Sequence, residues 1–308
     1  MVCPALEEPG LDFSHHKAFR GPSVSMPSAC DSHVHVFDPE RFVYASGRAY
    51  TPARATCQDL AAFMHSIDTE RVVLVQPSVY GTDNSCLVDA LAHFGDAARG
   101  VAVVDPDNET DETIAVLGRA GVKALRVNFE AAPGTIRKSP ADMLRSTAGR
   151  AVAHSMKVQL FLNLSDCARL RPLIEEIAVD VVLDHFAALN TRAGVGGDDF
   201  QALLQMIRDG NVWVKLSAPY RVAAETSGDD LRPFVEALVE ANPDRLVWAS
   251  DWPHTGGGRE RATRDVNAIE PFREIDDGAD LDRLFGWLGD AELYRKILVE
   301  NAKTLFEF

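Results

Sequence analysis

The chain has 308 residues, 46% of them hydrophobic and 25% charged, proportions ordinary for a soluble enzyme with a sizeable core and, at this length, compatible with one α/β-barrel domain. A formal net charge of −15 argues against nucleic acid and anionic membrane surfaces, which would repel it, but leaves room for an anionic substrate where a few arginines reverse the sign inside a pocket. Five cysteines (Cys3, Cys30, Cys57, Cys86 and Cys167) without a CxxC pair argue against a disulfide framework or structural zinc cluster; with no secretory leader and no apolar run long enough to span a bilayer, the expected setting is the cytoplasm.

Residues 1–27, rich in Pro, Gly and Ser, read as an irregular leader, and residues 28–308 as a single domain. Strands are predicted at 29–36, 71–77, 100–105, 122–128, 157–163, 180–185, 212–217 and 245–250. Several are unbroken Val/Leu/Ile runs, as expected where helices cover a parallel sheet. Helices are predicted at 83–94, 111–120, 140–155, 165–177, 198–208 and 229–241, with Asp83, Ser165 and Asp198 at N-cap positions, and more helix follows over 281–308. Eight strand–helix alternations point to an α/β fold closed as a single (β/α)8 TIM barrel, with a doubly wound open sheet as the alternative. The longest irregular stretch, 252–278, contains Gly256, Gly257 and Gly258; loops of this length are functional or mobile more often than not.

The active site of such a barrel lies at the carboxyl ends of its strands. The first strand ends in Asp31-Ser32-His33-Val34-His35. Residues i and i+2 of a strand point the same way, so His33 and His35 both face the interior. Paired imidazoles there can bind a metal or donate hydrogen bonds to a developing oxyanion. The sixth strand ends in Leu183-Asp184-His185, and the eighth runs into Ser250-Asp251-Trp252-Pro253-His254. Asp251 brings to the mouth a carboxylate able to take a proton from water. The blander readings are structural histidines for His33, His35 and His185, a helix cap or ion-pair partner for Asp251, and for His254 the start of the glycine-rich loop instead of a pocket wall. Four ionisable groups converging from three strands cost stability unless they are used, which favours an enzyme over a binding protein on a barrel scaffold.

These motifs, with Asn301-Ala302-Lys303-Thr304-Leu305-Phe306 near the end, resemble the amidohydrolase superfamily. Gln76-Pro77-Ser78-Val79-Tyr80-Gly81-Thr82-Asp83-Asn84 and Gly100-Val101-Ala102-Val103-Val104-Asp105-Pro106 resemble its 2-pyrone-4,6-dicarboxylate lactonase branch, amidohydrolase family 2. The resemblance implies that Asp251 activates water, that His33, His35 and His185 surround the scissile lactone carbonyl, and that no metal is bound. It further implies substrate contacts at Ser78, Tyr80, Asn84 and Arg126, and a carboxylate-binding role for Arg221; His254 joins them as a candidate pocket residue. Two arginines of the family pattern are absent, with Ala131-Ala132 and Ala188 in their places. A pocket that clamps two carboxylates bidentately loses much by that, unless Arg137, Lys138 or Arg192 turns inward, so a mono-anionic or sugar-acid lactone is the expected substrate.

A binuclear amidohydrolase site needs a lysine or carboxylate at the end of the fourth strand and a histidine at the end of the fifth. Here Asn128 and Asn163 stand there, and Lys123 lies at the opposite end of its strand. No cofactor is expected; the weaker alternative is one divalent ion such as zinc on His33, His35, His185 and Asp251. The expected function is hydrolysis of a small anionic lactone, with a mononuclear metal-dependent decarboxylase or a lactone isomerase as alternatives. The expected partner is a small-molecule substrate, neither nucleic acid nor membrane, and a homo-oligomer is left open.

Overall fold

The computed structural model describes residues 26–129, 138–224, 228–257, 261 and 263–308. Nearly all of the predicted leader lies outside the described residues, as do Ala131, Ala132, Arg137 and Gly258. Eight strands form one parallel sheet in chain order: β1 (Cys30–Val34), β2 (Arg71–Val75), β3 (Ala98–Ala102), β4 (Val122–Asn128), β5 (Lys157–Phe161), β6 (Val181–Leu183), β7 (Val212–Ser217) and β8 (Leu246–Ala249). The sheet closes on itself where β1 meets the end of β8. Val34 bridges Trp252, the Asp251 N–H donates to the His33 carbonyl at 3.0 Å, and the His35 N–H donates to the Trp252 carbonyl at 2.9 Å. The barrel is thus closed by the same segments that carry the candidate site.

β4 and β7 span the predicted residues, while most of the other ladders stop two or three residues early. Residues 76, 77, 184, 185 and 250 leave the ladder to build loops, and the predicted sixth strand keeps only three paired residues. A helix absent from the predicted set, α1 (Cys57–Ser66), follows β1. It starts with a capping box: Thr56 Oγ1 accepts from the Asp59 N–H at 3.3 Å and the Thr56 N–H donates to Asp59 Oδ2 at 2.8 Å. The predicted caps are displaced. Helix α2 (Ser85–Phe94) has Asn84 at its N-cap, with Asp83 still accepting from the Ser85 N–H at 3.0 Å. Helix α3 (Leu164–Glu176) is capped by Asn163, whose Oδ1 accepts from the Asp166 N–H at 2.9 Å, and α4 (Asp198–Asp209) by Gly197. Asn163 therefore serves the helix after β5 and does not turn a ligand into the mouth.

Strand alternation sorts side chains between the outer core, packed against the helices, and the barrel interior. Cys30, Val73, Val75, Val101, Ala124, Val182, Trp213 and Val247 form one inner apolar cluster together with Ala302, Leu305 and Phe306 of the last helix, Asn301–Phe306. Two residues further along the same faces come Arg126 after Ala124, Asp184 after Val182, and Lys215 then Ser217 after Trp213. The interior thus passes from an apolar floor to a charged layer and then to the mouth.

Candidate active site

The charged layer is built around Asp184, which is fully buried. Its Oδ1 lies 3.1 Å from His33 Nδ1 and 3.3 Å from Lys215 Nζ. Its Oδ2 accepts from Arg126 Nε (3.1 Å), Arg126 Nη2 (2.9 Å) and Gln159 Nε2 (3.1 Å). Burial opposes ionisation of this carboxyl, but hydrogen bonding at His33 Nδ1 and the charges of Lys215 and Arg126 outweigh it and hold Asp184 well below the usual carboxylate range. Lys215 is completely buried and donates to Gln159 Oε1 at 2.8 Å, with its Nζ also 3.2 Å from His33 Nδ1. Burial pushes this ammonium down to about 8 against the pull of Asp184. Burial, followed by the charge of Lys215, holds His33 well below the usual histidine range, so it is a neutral imidazole.

Above this layer Asp251 meets the histidines. Its Oδ1 is 3.8 Å from His33 Nε2, 3.6 Å from His35 Nε2 and 3.7 Å from His185 Nε2. Its Oδ2 accepts from the Tyr220 hydroxyl and from Arg221 Nε, each at 2.7 Å. Burial disfavours the charged form of Asp251, yet Arg221 and the imidazoles prevail and hold it well below the usual range. Each ring is oriented from its far side. His35 Nδ1 lies 2.8 Å from the Val75 carbonyl and His185 Nδ1 lies 2.9 Å from Ser217 Oγ. His33 Nε2 and His35 Nε2 stand 3.2 Å apart. Burial lowers His185 to about 4 despite the nearby Asp251, which keeps it neutral as well. Two local backbone conformations aim these groups: Asp251 has φ 70°, and His185 begins a run of four non-glycine residues at positive φ.

Of the predicted site residues, His33, His35, His185 and Asp251 come together, and Arg126 and Arg221 sit beside them. Both arginines are turned to protein carboxylates. Arg221 Nη2 also donates to Thr255 O and Oγ1 at 3.1 Å each, and among the described residues Nη1 of Arg126 and Nη1 of Arg221 make no hydrogen bond. Ser78 lies in a short 3-10 turn. The Tyr80 hydroxyl accepts from the Asp38 N–H at 2.9 Å. The Asn84 carboxamide is tied to the backbone, donating to Val103 O at 2.8 Å and accepting from Val103 N at 3.1 Å. His254 turns to Asp277, with Nε2 to Oδ2 at 2.9 Å. Burial opposes a charge on His254, but Asp277 outweighs burial and raises its pKa. Lys138 pairs with Asp107 and Arg192 is exposed, so neither turns inward to replace a missing arginine. Lys215, Gln159, Ser217 and Tyr220 were not among the predicted site residues. The signal for Lys215 is the one long polar residue in the run Val212–Ser217, and for Gln159 a long polar residue set between Val158 and Leu160.

The donor set suits one metal ion. His33 Nε2, His35 Nε2 and Asp251 Oδ1 are spaced at 3.2–3.8 Å, close to the separation of about 3.3 Å that donors adopt around a tetrahedral zinc at roughly 2.0–2.1 Å. His33, Asp184 and His185 form a second, overlapping group. Lys123 pairs with Glu307 at the far end of the barrel, at 2.6 Å, and bridges nothing at the mouth.

A closed parallel barrel that gathers imidazoles and a carboxylate at the carboxyl ends of β1, β6 and β8 is, by class, a barrel enzyme. A family model described as Amidohydrolase matches residues 30–308, and the chain belongs to that amidohydrolase family. The 2-pyrone-4,6-dicarboxylate hydrolase of Comamonas testosteroni is 32% identical over 297 residues, covering 92% of this chain and 92% of that protein. The 4-sulfomuconolactone hydrolase of Rhizobium radiobacter is 32% identical over 288 residues, again 92% of each. Among solved structures, a Pseudomonas putida protein assigned to the 2-pyrone-4,6-dicarboxylic acid hydrolases superposes with a TM-score of 0.75 at 29% identity, over 91% of this chain and 97% of that one. No helix among the described residues is long and apolar enough to cross a membrane.

Proposed function

We propose that this enzyme opens a small anionic lactone by adding water across its ester bond. The observation that carries the reading is the position of Asp251 Oδ1, within 3.6–3.8 Å of three imidazole nitrogens, while Oδ2 is anchored by Tyr220 and Arg221. Asp251 takes a proton from water, and the oxygen so released attacks the lactone carbonyl carbon. The carbonyl oxygen gains charge and accepts hydrogen bonds from Nε2 of His33 and His185. The tetrahedral intermediate collapses with cleavage of the ring C–O bond, and Asp251 returns the proton to the departing ring oxygen, leaving a carboxylic acid and a hydroxyl group. His35 is held from its other side, its Nδ1 donating to the Val75 carbonyl, and its Nε2, 3.6 Å from Asp251 Oδ1, orients the attacking water.

The N–H groups of Arg126 Nη1 and Arg221 Nη1 suit one substrate carboxylate, and the alanines at positions 131, 132 and 188 favour a substrate with one negative charge over a dicarboxylate. Were an ion held, His33, His35 and Asp251 would be its ligands, and it would supply Lewis-acid polarisation of a carbonyl or of water. The test is acid release from a panel of aldonic, aldaric and muconic lactones, with and without chelator. The reading expects turnover of at least one mono-anionic lactone that survives chelation; no release from any lactone would overturn it, and release abolished by chelator would transfer it to the metal-bound form.

A further inference from the structure

The faces of β1 do not alternate evenly. Cys30 belongs to the inner apolar cluster, so unbroken alternation would turn Ser32 and Val34 inward as well. Instead Val34 packs in the outer core, while His33 and His35 meet Asp251 at the mouth. The register of β1 against β2 shifts between Asp31 and Val34, and a one-residue slip exchanges the two faces of a strand. We propose that Asp31 is a positioning residue whose buried carboxyl group holds this irregularity and ties it to Ser250, thereby aiming His33 and setting its distance from Asp251.

Asp31 is fully buried. Its Oδ1 accepts from the His33 N–H at 3.1 Å, two residues on, and from the Ser250 N–H at 3.0 Å, 219 residues away in sequence. Its Oδ2 accepts from the Ser250 hydroxyl, whose oxygen accepts in turn from the Trp252 N–H at 2.8 Å. Beyond this point the seam continues by backbone alone, from the Asp251 N–H to the His33 carbonyl and from the His35 N–H to the Trp252 carbonyl. Asp31 thus supplies from its side chain the rung that precedes these two. The residues it grips are His33 itself and the immediate neighbour of Asp251, whose Oδ1 stands 3.8 Å from His33 Nε2. A misplacement of about 1 Å in such a constellation can cost about 100-fold in rate. The seam needs acceptors in place more than it needs a negative charge. Asn at position 31 would keep the Oδ1 acceptor and offer an amide hydrogen to Ser250 Oγ, whereas Leu would leave three buried donors, the His33 N–H, the Ser250 N–H and the Ser250 hydroxyl, without this partner. Asp31 touches no reacting atom and acts through His33 and Ser250. The consequence for catalysis rests on the lactone reading; the geometry of the seam does not.

The test compares full-length wild type, Asp31→Leu and Asp31→Asn by amide hydrogen exchange in 15N-labelled protein and by kinetics on a lactone found to be turned over. In Asp31→Leu the amides of His35 and Asp251 are expected to exchange about tenfold faster or more, while those pairing β4 with β5 keep their wild-type protection. The same variant lowers kcat by about 100-fold with KM within about threefold of wild type, as for misaligned catalytic groups in a pocket that still binds. Asp31→Asn recovers most of both. Unchanged exchange at the seam in Asp31→Leu overturns the proposal, as does an acceleration spread evenly over the barrel, which would mark a general loss of stability. An Asp31→Asn protein as impaired as Asp31→Leu also overturns it, since charge and not acceptor geometry would then matter. Should Asp31→Leu fail to fold, Ser250→Ala, which removes only the hydroxyl link, is expected to loosen the same two amides to a smaller degree, and wild-type exchange there would overturn the proposal. The expected exchange pattern together with failure on every lactone would overturn the functional reading alone.

Discussion

His185 is held at Nδ1 by the Ser217 hydroxyl, 2.9 Å away, and buried neutral, so with that hydroxyl donating it offers an Nε2–H to the developing oxyanion. Replacing His185 by Leu removes that donor and is expected to lower kcat by about 100- to 1,000-fold, measured as initial rates of acid release; a loss below about threefold would show that the carbonyl oxygen lies elsewhere. The residues with chemistry at strand ends, His33, His35, His185 and Asp251, were legible because strand periodicity and the barrel rule place them. The contacts that hold their rings were not, since those come from Val75, Ser217 and Asp184, which lie 32 to 151 residues away in sequence. Arg221 shows the same limit. Its position beside the site could be anticipated, while its bond to Asp251 is fixed by the turn after β7 and has no local signature.

Among the described elements, the turn after β6 has the longest run of non-glycine residues at positive φ. His185, Phe186, Ala187 and Ala188 have φ of 50°, 54°, 55° and 46°, a left-handed turn that costs L-residues roughly 1–2 kcal/mol each and is sustained by burial of Phe186 and Ala187. With no glycine to mark it, nothing in the local sequence foretells it, and the predicted strand ran on through 185. By contrast β4 and β7 could be read residue for residue from their apolar runs. At the opposite end of the barrel Glu307 ties the chain terminus to β4 and β5 through Lys123 and Lys157. Hydrogen bonds from these lysines depress its carboxyl to about 2. Because the folded pKa lies below the unfolded one, the stabilisation is present above about pH 4.3 and is lost as pH falls through the folded value. The Glu307 side chain is half exposed, so the effect is small and screened by salt. Glu307→Gln should melt slightly lower than wild type at pH 7 and low ionic strength, with the gap closing toward pH 2; a gap independent of pH and salt would assign the contact to packing alone.

At the scale of the whole molecule, the site exists only because the barrel closes. β1 and the segment after β8 are separated by more than 200 residues and meet through His33, Val34, Asp251 and Trp252. The run of eight apolar strands made that closure legible from sequence, and the family match over residues 30–308 agrees with it. An acidic molecule of net charge −15 thereby encloses three buried or half-buried cations, Arg126, Lys215 and Arg221, set against two carboxylates, Asp184 and Asp251, and on the proposed reading the surplus positive charge is what favours an anionic substrate there. The decisive measurement is the turnover of Asp251→Asn beside wild type on the most rapidly opened lactone, with thermal melts of both. The account predicts loss of nearly all hydrolysis in a protein that remains folded; near-normal turnover in the folded variant would contradict it.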